Sequence, residues 1–178
     1  GRMFRRKDRI ELKSQAQFDV MRQAGRVVAV TLSRVAAEIR PGISTRELDE
    51  IAAESIRSEG AIPSFLGYHG FPAHICVSVN DEVVHGIPGD RILADGDLIS
   101  VDCGAIVDGW HGDAALSVPV GAVAADVLEL SRVTEQSLHV GIAAAVPGAR
   151  ITDIGQAIEA FARSQGPYGI VEDYVGHG

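Results

Sequence analysis

Two aspartates, Asp102 and Asp113, stand eleven residues apart on either side of an Asp108-Gly109 pair. The pair lies between two alternating apolar runs and predicts a two-residue hairpin, because a type I′ turn needs positive φ at both positions. The register set by this turn puts Asp113 opposite Gly104 and diagonal to Asp102, at about 7–8 Å between backbones. We expect Gly104, which has no side chain, to leave room for whatever lies between the carboxylates.

Two carboxylates on one face of a buried hairpin repel each other, and each is costly to remove from water. They need a shared proton or cations, and hard oxygen ligands suit one or two divalent ions. Paired ions about 3.5–4 Å apart activate water for hydrolysis. The spacing alone fits equally well a pair in which Asp102 faces water and Asp113 caps a turn.

Histidines give a second set of candidates. His85 follows an apolar run and precedes Gly-Ile-Pro, and His177 stands between two glycines. From their positions alone, a structural role for His85 and a frayed tail at His177 are the more common interpretations. His111 falls on the face of the carboxylates and could orient them through a hydrogen bond without binding the ion itself. The sequence contains no GxSxG, HExxH or P-loop pattern, and no motif marks a cysteine nucleophile.

The composition excludes several classes of protein. The chain has 178 residues, 46% of them hydrophobic, which fits one domain with a sizeable core. Its net charge of −8 argues against nucleic acid or an anionic membrane as the main partner. No apolar stretch approaches the 18 residues that a membrane span needs. Two cysteines are too few for a disulfide framework, which favours a reducing cytoplasmic compartment.

The sequence predicts four helices and two stretches of strand around the candidate aspartates and histidines. Capping boxes at Ser14–Gln17 and Ser44–Glu47 open the first two, which end at Pro41-Gly42 and Gly60. Residues 73–84 and 98–118 alternate as strands do. Residues 123–145 and 152–165 are again helical, with Pro147-Gly148 between them.

The order of these elements repeats. A shift of 106 residues places Pro41-Gly42 on Pro147-Gly148 and Tyr68 on Tyr174. A long helix, a Pro-Gly break, a second helix and strand-like sequence are therefore written twice. We expect two related halves around a pseudo-two-fold axis, with the second half incomplete as a fold at Gly178.

Several motifs together resemble the type I methionine aminopeptidases of peptidase family M24. They are Gly67-Tyr-His-Gly-Phe-Pro72, Ser78-Val-Asn-Asp-Glu-Val-Val-His-Gly-Ile-Pro88, the two aspartates with HGDAA, and the final Tyr-Val-Gly-His-Gly. The resemblance runs from about Ser14 to the last residue. It implies an α+β pita-bread (creatinase/aminopeptidase) fold, whose two pseudo-symmetric αα-ββ halves enclose an antiparallel sheet. It also implies an N-terminal extension at residues 1–13 and a partial catalytic domain at 14–178.

The resemblance assigns roles by position. Asp102, Asp113 and His177 correspond to ligands of two divalent metal ions, which could be Co, Mn, Fe(II), Zn or Ni. His85 corresponds to a catalytic histidine that contacts the substrate near the scissile bond. Tyr68, Phe71 and Cys76 fall where the family builds its methionine pocket, although Phe71 and Phe65 replace a common tyrosine and a common cysteine. An ordinary core role for these three residues fits as well.

The implied activity is metal-dependent hydrolytic removal of the initiator methionine from nascent proteins by a cytoplasmic monomer. The resemblance also implies transient association with the ribosome. Two glutamate ligands and a second substrate histidine would lie beyond Gly178, so we expect the 178 residues alone to bind metal weakly and to be inactive. An X-Pro aminopeptidase or prolidase, and a non-enzymatic pita-bread binding protein, are the alternatives.

Overall fold

The computed structural model describes residues 12–82, 86–121, 125–168 and 170. The chain divides into two compact units, residues 1–122 and residues 123–178. In the described part of the chain, no helix is both long enough and apolar enough to cross a bilayer.

The first unit begins with two helices whose starts are fixed by the predicted capping boxes. Helix α1 spans Gln15–Ala37 and helix α2 spans Thr45–Ser58. Ser14 Oγ accepts from the Gln17 N–H, and Gln17 Oε1 accepts from the Ser14 N–H. Ser44 and Glu47 make the same exchange at α2, which lowers the pKa of the Glu47 carboxyl. Both predicted helix starts are therefore confirmed.

Four antiparallel strands follow: β1 at Ile62–Pro63, β2 at Ile75–Val79, β3 at Leu98–Val107 and β4 at Trp110–Pro119. Strand β4 pairs with β3 along its whole length, and β1 and β2 both pair with β3, on its other edge. Strand β2 is shorter than the predicted run 73–84, because Asn80 turns the chain with φ of 54°. The sequence pattern did not predict β1.

The sheet has one covered and one open face. Alternate residues of β2 and β3 point toward the helices and form the core with them. From the strands the core takes Ile75, Val77, Val79, Ile99, Val101, Cys103 and Ala105, and from the helices mainly Val28, Leu32, Val35, Leu48, Ala52 and Ile56. The intervening residues of β3, which include Asp102, lie on the opposite face with Asp113 of β4.

Helix α1 approaches β4 closely at a glycine. A Cβ added to Gly112 would lie 2.7 Å from the backbone of Ala24 and of Gly25. Only a residue without a side chain allows this contact, which sets the position of α1 over the hairpin.

The second unit contains helix α3 at Ala125–Ala144 and helix α4 at Ile151–Gln165. Gly148 lies between them with φ of +88°, as Gly42 lies between α1 and α2 with φ of +94°. Each unit therefore has a long helix, a Pro-Gly turn with a left-handed glycine, and a second helix. This part of the predicted repeat is confirmed, whereas Tyr174 and the residues after it lie outside the described residues.

Candidate metal centre and active site

The hairpin that carries the two aspartates has the predicted register. Gly104 pairs with Asp113 and Asp102 pairs with Ala115, without a bulge between them. The turn residues Asp108 and Gly109 have φ of 47° and 81°, as a type I′ turn requires. Asp102 and Asp113 are therefore diagonal neighbours on the open face of the sheet.

The two carboxyl groups of this pair are in direct contact. Asp102 is half-buried, Asp113 is exposed, and a hydrogen bond joins their side chains. Burial, this hydrogen bond and the negative charge of Asp113 together raise the pKa of Asp102 to about 7. At pH 7 the pair therefore keeps a proton in about half of the molecules, and a cation that replaced the proton would offset the cost of burying the charge and the repulsion between the carboxylates. The oxygen donors fit the hard divalent ions that the sequence predicted.

Gly104 has a different role from the one expected. Ser64 occupies the space next to it, since a Cβ on Gly104 would lie 2.9 Å from both Cβ and Oγ of Ser64. The Ser64 N–H also donates to the carbonyl oxygen of Gly104 at 3.0 Å. The expectation that Gly104 leaves this space for the occupant of the site is corrected: the glycine admits the chain at Ser64.

His111 lies beside this contact. It stands two residues before Asp113 on β4 and therefore on the same face, as predicted. Its Nδ1 and the Ser64 Oγ are 3.2 Å apart and share a hydrogen bond. His111 thus links the hairpin to the chain that follows β1.

The cysteines flank the carboxylates in the sheet. Cys76 pairs directly with Asp102, and Cys103 follows Asp102 on the core face. Burial, and then the charges of Asp102 and Asp113, raise the pKa of each thiol to about 12. Both cysteines are therefore protonated at neutral pH, in agreement with the absence of a cysteine-nucleophile motif.

Tyr68 and Phe71 lie on a loop between β1 and β2. The ring of Phe71 meets Phe65 edge to face, with 6.3 Å between the ring centroids. Tyr68 is 68% exposed and lies within a short 3₁₀ helix, Tyr68–Gly70. A backbone hydrogen bond from the Gly67 N–H to the carbonyl oxygen of Phe71 closes the loop on itself at 2.9 Å. Cys76, the third predicted pocket residue, lies on β2 rather than on this loop.

The predicted histidines His85 and His177 lie outside the described residues. Gly86, the neighbour of His85, is held against β2, where its carbonyl oxygen accepts from the Val77 N–H at 2.9 Å. A Cβ on Gly86 would lie 2.0 Å from the Val77 oxygen, so this position requires glycine. Within the described ranges, no group of three His, Cys, Asp or Glu side chains is close enough to hold a metal ion.

Sequence reasoning missed a buried aspartate near the site, Asp49, and its hydrogen bonds. Asp49 on α2 accepts from the N–H groups of His74 and Ile75 at 2.7 and 2.9 Å, and its other oxygen lies 2.8 Å from His74 Nδ1. These bonds fix the chain where it enters β2, one residue before Cys76. The available signal was an aspartate next to the apolar stripe of an amphipathic helix, which gave no indication of its partner.

Helices on one face of an antiparallel sheet and a carboxylate pair on the other define a candidate metallohydrolase centre. Comparison with known families identifies it further, because the model of metallopeptidase family M24 matches residues 19–178. The chain belongs to this family.

Known relatives narrow the comparison within the family. The chain is 50% identical over 166 residues to methionine aminopeptidase 1 of Bacillus subtilis, covering 93% of this chain and 66% of that protein. The crystal structure of methionine aminopeptidase from Rickettsia prowazekii superposes with a TM-score of 0.92 at 39% identity, covering 96% of this chain and 68% of that one. The chain thus spans about two thirds of the length of these relatives, and the expected pita-bread fold is confirmed.

A more distant likeness concerns the fold alone. X-Pro aminopeptidase from Thermotoga maritima has a TM-score of 0.74 at 20% identity, covering 86% of this chain and 42% of that one. The X-Pro aminopeptidase alternative is therefore less supported than the methionine aminopeptidases.

Proposed function

We propose that residues 14–178 form the partial catalytic domain of a methionine aminopeptidase, preceded by an extension at 1–13. The domain would belong to an enzyme that hydrolyses the first peptide bond of nascent proteins beginning with methionine. The observation that carries this proposal is the contact between the carboxyl groups of Asp102 and Asp113 on the open face of the carboxylate-bearing strands; together with burial, this contact raises the pKa of Asp102. The 50% identity to a methionine aminopeptidase supports the choice of substrate.

In this proposal Asp102, Asp113 and His177 hold two divalent metal ions. Two carboxylates and an imidazole are donors that Mn, Fe(II), Co, Ni and Zn all accept, so the donor set does not select among them. Bound ions would supply Lewis-acid chemistry and lower the pKa of a water molecule. Asp113, which is exposed, is accessible to ions from the open face, while half-buried Asp102 supports it from the central strand.

The remaining roles concern the substrate. We propose that His85 contacts the peptide carbonyl near the scissile bond, where a hydrogen-bond donor stabilises developing negative charge. Tyr68, Phe71 and Cys76 would line the methionine pocket. The edge-to-face rings of Phe65 and Phe71 and a neutral Cys76 thiol are surroundings that suit a thioether, since sulfur packs favourably against aromatic rings.

The last part of the proposal concerns the compartment and the partners of the protein. A reducing cytoplasm fits two buried thiols that are not joined in a disulfide. We propose nascent chains as substrates, a monomeric state and transient association with the ribosome. Nucleic acid and membranes are not expected as partners, given the net charge of −8.

Calorimetric titration with Mn²⁺ tests the metal site directly. Asp113→Asn should reduce the affinity at least tenfold, about 1.4 kcal/mol, because it removes a charged ligand. Asp108→Asn is the matched control, since it removes the same charge from the turn of the same hairpin, and asparagine tolerates the φ of 47° found there. Equal affinities of wild type and Asp113→Asn would contradict the proposal.

Turnover is a separate measurement. A polypeptide of these 178 residues should bind Mn²⁺ weakly and release no methionine from Met-Ala-Ser, because only two carboxylates converge in its described part. Turnover near that of a complete relative would overturn this expectation. A chimaera with the remaining third of the Bacillus subtilis protein should then cleave Met-Ala-Ser and not Ala-Pro peptides. The reverse preference would favour an X-Pro aminopeptidase or prolidase, and metal binding without cleavage of either would favour a non-enzymatic binding protein.

A further inference from the structure

Ser64 joins three parts of the first unit. It follows β1, its N–H donates to Gly104 of β3 at 3.0 Å, and its hydroxyl shares a hydrogen bond with His111 of β4 at 3.2 Å. Gly104 is the cross-strand partner of Asp113. One serine is therefore in contact with both strands that carry the carboxylate pair.

The loop with the predicted pocket residues starts at this serine. We call residues 65–71 the pocket segment and β3–β4 the carboxylate hairpin. The pocket segment closes on itself through bonds from Gly67 N–H to Phe71 and from Tyr68 N–H to Phe65. It packs few residues into the core, since Tyr68 and the two residues on either side of it are exposed or only partly buried. Its position relative to the hairpin therefore depends on its two ends.

The two ends are held by different means. At the far end, Asp49 fixes His74 and Ile75 through a carboxylate with three partners. At the near end, the side-chain bond to the hairpin is that between Ser64 and His111. Gly104 makes this bond possible, because any side chain there would displace Ser64. The near end is thus tied to the strands that carry Asp102 and Asp113.

We propose that Ser64 and His111 form a positioning pair, which fixes the pocket segment against the carboxylate hairpin and so sets the spacing of methionine pocket and metal centre. The inference rests on the proposed function for its consequence, although the contact itself stands on the structure. Neither residue touches reacting atoms in this scheme. His111 acts through Ser64, and Ser64 acts through the pocket segment.

Amide hydrogen exchange, followed by NMR on the metal-free chain, tests the pair without depending on a metal. Ser64→Ala should speed exchange at Gly67, Tyr68 and Phe71 about twofold, because the hydrogen bond that is lost is one that water can partly replace. Ser100→Ala is the matched control, because it removes a hydroxyl–hydroxyl bond to Ser117 at the other end of the same hairpin.

Two substitutions of His111 test whether its hydrogen bond to Ser64, and not the size of its side chain, holds the pocket segment. The amide of His111→Asn lies as many bonds from the backbone as Nδ1 and should preserve the slow exchange. The amide of His111→Gln lies one bond further, at the place of Nε2, and should behave as Ser64→Ala does. Unchanged exchange in Ser64→Ala, or equal acceleration in His111→Asn and His111→Gln, would overturn the inference.

Ligand binding to the Mn²⁺-loaded chimaera with the remaining third of the Bacillus subtilis protein tests the consequence. L-methionine hydroxamate combines a chelating group with the methionine side chain, and acetohydroxamate has the chelating group alone. Ser64→Ala should weaken the first about twofold and leave the second and Mn²⁺ itself unchanged. Equal weakening of both hydroxamates would contradict a role in spacing. Failure of the chimaera without the Ser64 substitution to bind Mn²⁺ would instead count against the proposed function, and hydrogen exchange would still decide the inference.

Discussion

Residues that alternate along strand β3 point to two faces of the sheet, and these faces differ in burial and in the polarity of their neighbours. Ile99, Val101 and Cys103 are completely buried against the helices. Ser100 and Asp102, which stand between them, are partly exposed on the open face. The first set packs in the hydrophobic core, whereas Ser100 bonds to a serine of β4 and Asp102 to a carboxyl group of β4.

This difference assigns stability to the helix face of the sheet and the candidate site to its open face. Burial of apolar surface on the helix face supplies the stability, at roughly 25 cal/mol per Å². On the open face, a pKa of about 7 means that the ionised form of Asp102 is disfavoured in the folded chain. A fold that keeps such a group accepts a local cost for the sake of a site. The comparison can be tested one face at a time.

The largest effect is expected from a charge on the helix face. Val101→Asp would bury a carboxylate among Ile75, Ile99 and other apolar side chains, and should cost more than about 4 kcal/mol, enough to unfold the chain. Ser117→Asp places the same group on the open face of β4 and should cost less than about 1 kcal/mol. Urea denaturation followed by circular dichroism measures both. A folded Val101→Asp variant with near wild-type stability would show that the helix face tolerates a charge as well as the open face does.

The second prediction concerns a substitution on the open face that should increase the free energy of unfolding instead of lowering it. The pKa of Asp102 is raised from 3.8 to about 7, so the folded chain binds more protons than the unfolded chain between these pH values. Stability of the metal-free protein should therefore fall as pH rises from about 4 to 7, and the full cost should be present above pH 7. Asp102→Asn cannot ionise and should be more stable than wild type at pH 8 by about 2 kcal/mol, allowing for partial solvent access.

Urea denaturation at pH 5 and pH 8 in EDTA checks this value, and Asp108→Asn in the exposed turn serves as the control. Asp102→Asn should flatten the pH dependence, whereas Asp108→Asn should leave it unchanged. Excess Mn²⁺ should stabilise wild type more than Asp102→Asn, since the substitution removes one charged ligand. If the stability of the wild-type chain rose with pH between about 4 and 7, the ionised form of Asp102 would not be disfavoured in the folded chain.

Local signals in the sequence predicted much of this arrangement. The capping boxes at Ser14 and Ser44 and the Asp108-Gly109 turn each depend on residues within three positions of one another, so their geometry could be derived without knowledge of the fold. The turn then fixed the register over ten pairs and placed Asp113 opposite Gly104. The internal repeat extended the same reasoning to the second pair of helices.

Contacts between distant segments could not be derived in this way. Ser64 reaches Gly104 forty residues later, and Asp49 reaches His74 across a loop. Nothing near either residue indicates its partner, because each contact exists only once the helices have packed on the sheet. The roles of His85 and His177 rest on the resemblance to a family, since a histidine beside glycine has no unique chemistry.

A smaller effect is expected from the two cysteines, which lie on opposite faces. Cys103→Ser places a hydroxyl in the apolar core and should cost about 1–2 kcal/mol. Cys76→Ser, in the strand position paired with Asp102, puts its hydroxyl beside a carboxylate and should cost less. The difference in urea midpoints between the two variants measures this. Equal costs would mean that the open face is as apolar as the core at this level of the sheet.

The smallest effect concerns two hydroxyl–hydroxyl bonds of nearly equal length. Ser100 and Ser117 are joined at 2.9 Å on the open face, and Thr31 and Ser55 at 3.0 Å between α1 and α2. Water can replace the first bond, so Ser100→Ala should change the free energy of unfolding by less than about 0.5 kcal/mol.

Thr31 and Ser55 are almost fully buried, at 0% and 2% exposure, so water cannot reach the second bond. Thr31→Val keeps the shape of the side chain and leaves Ser55 with the Arg34 guanidinium as its remaining side-chain partner. The variant should cost about 1 kcal/mol. Both values come from urea titrations of the same metal-free chain. If Ser100→Ala cost as much as Thr31→Val, the open face would be contributing to stability, and its polar residues would need no site to explain them.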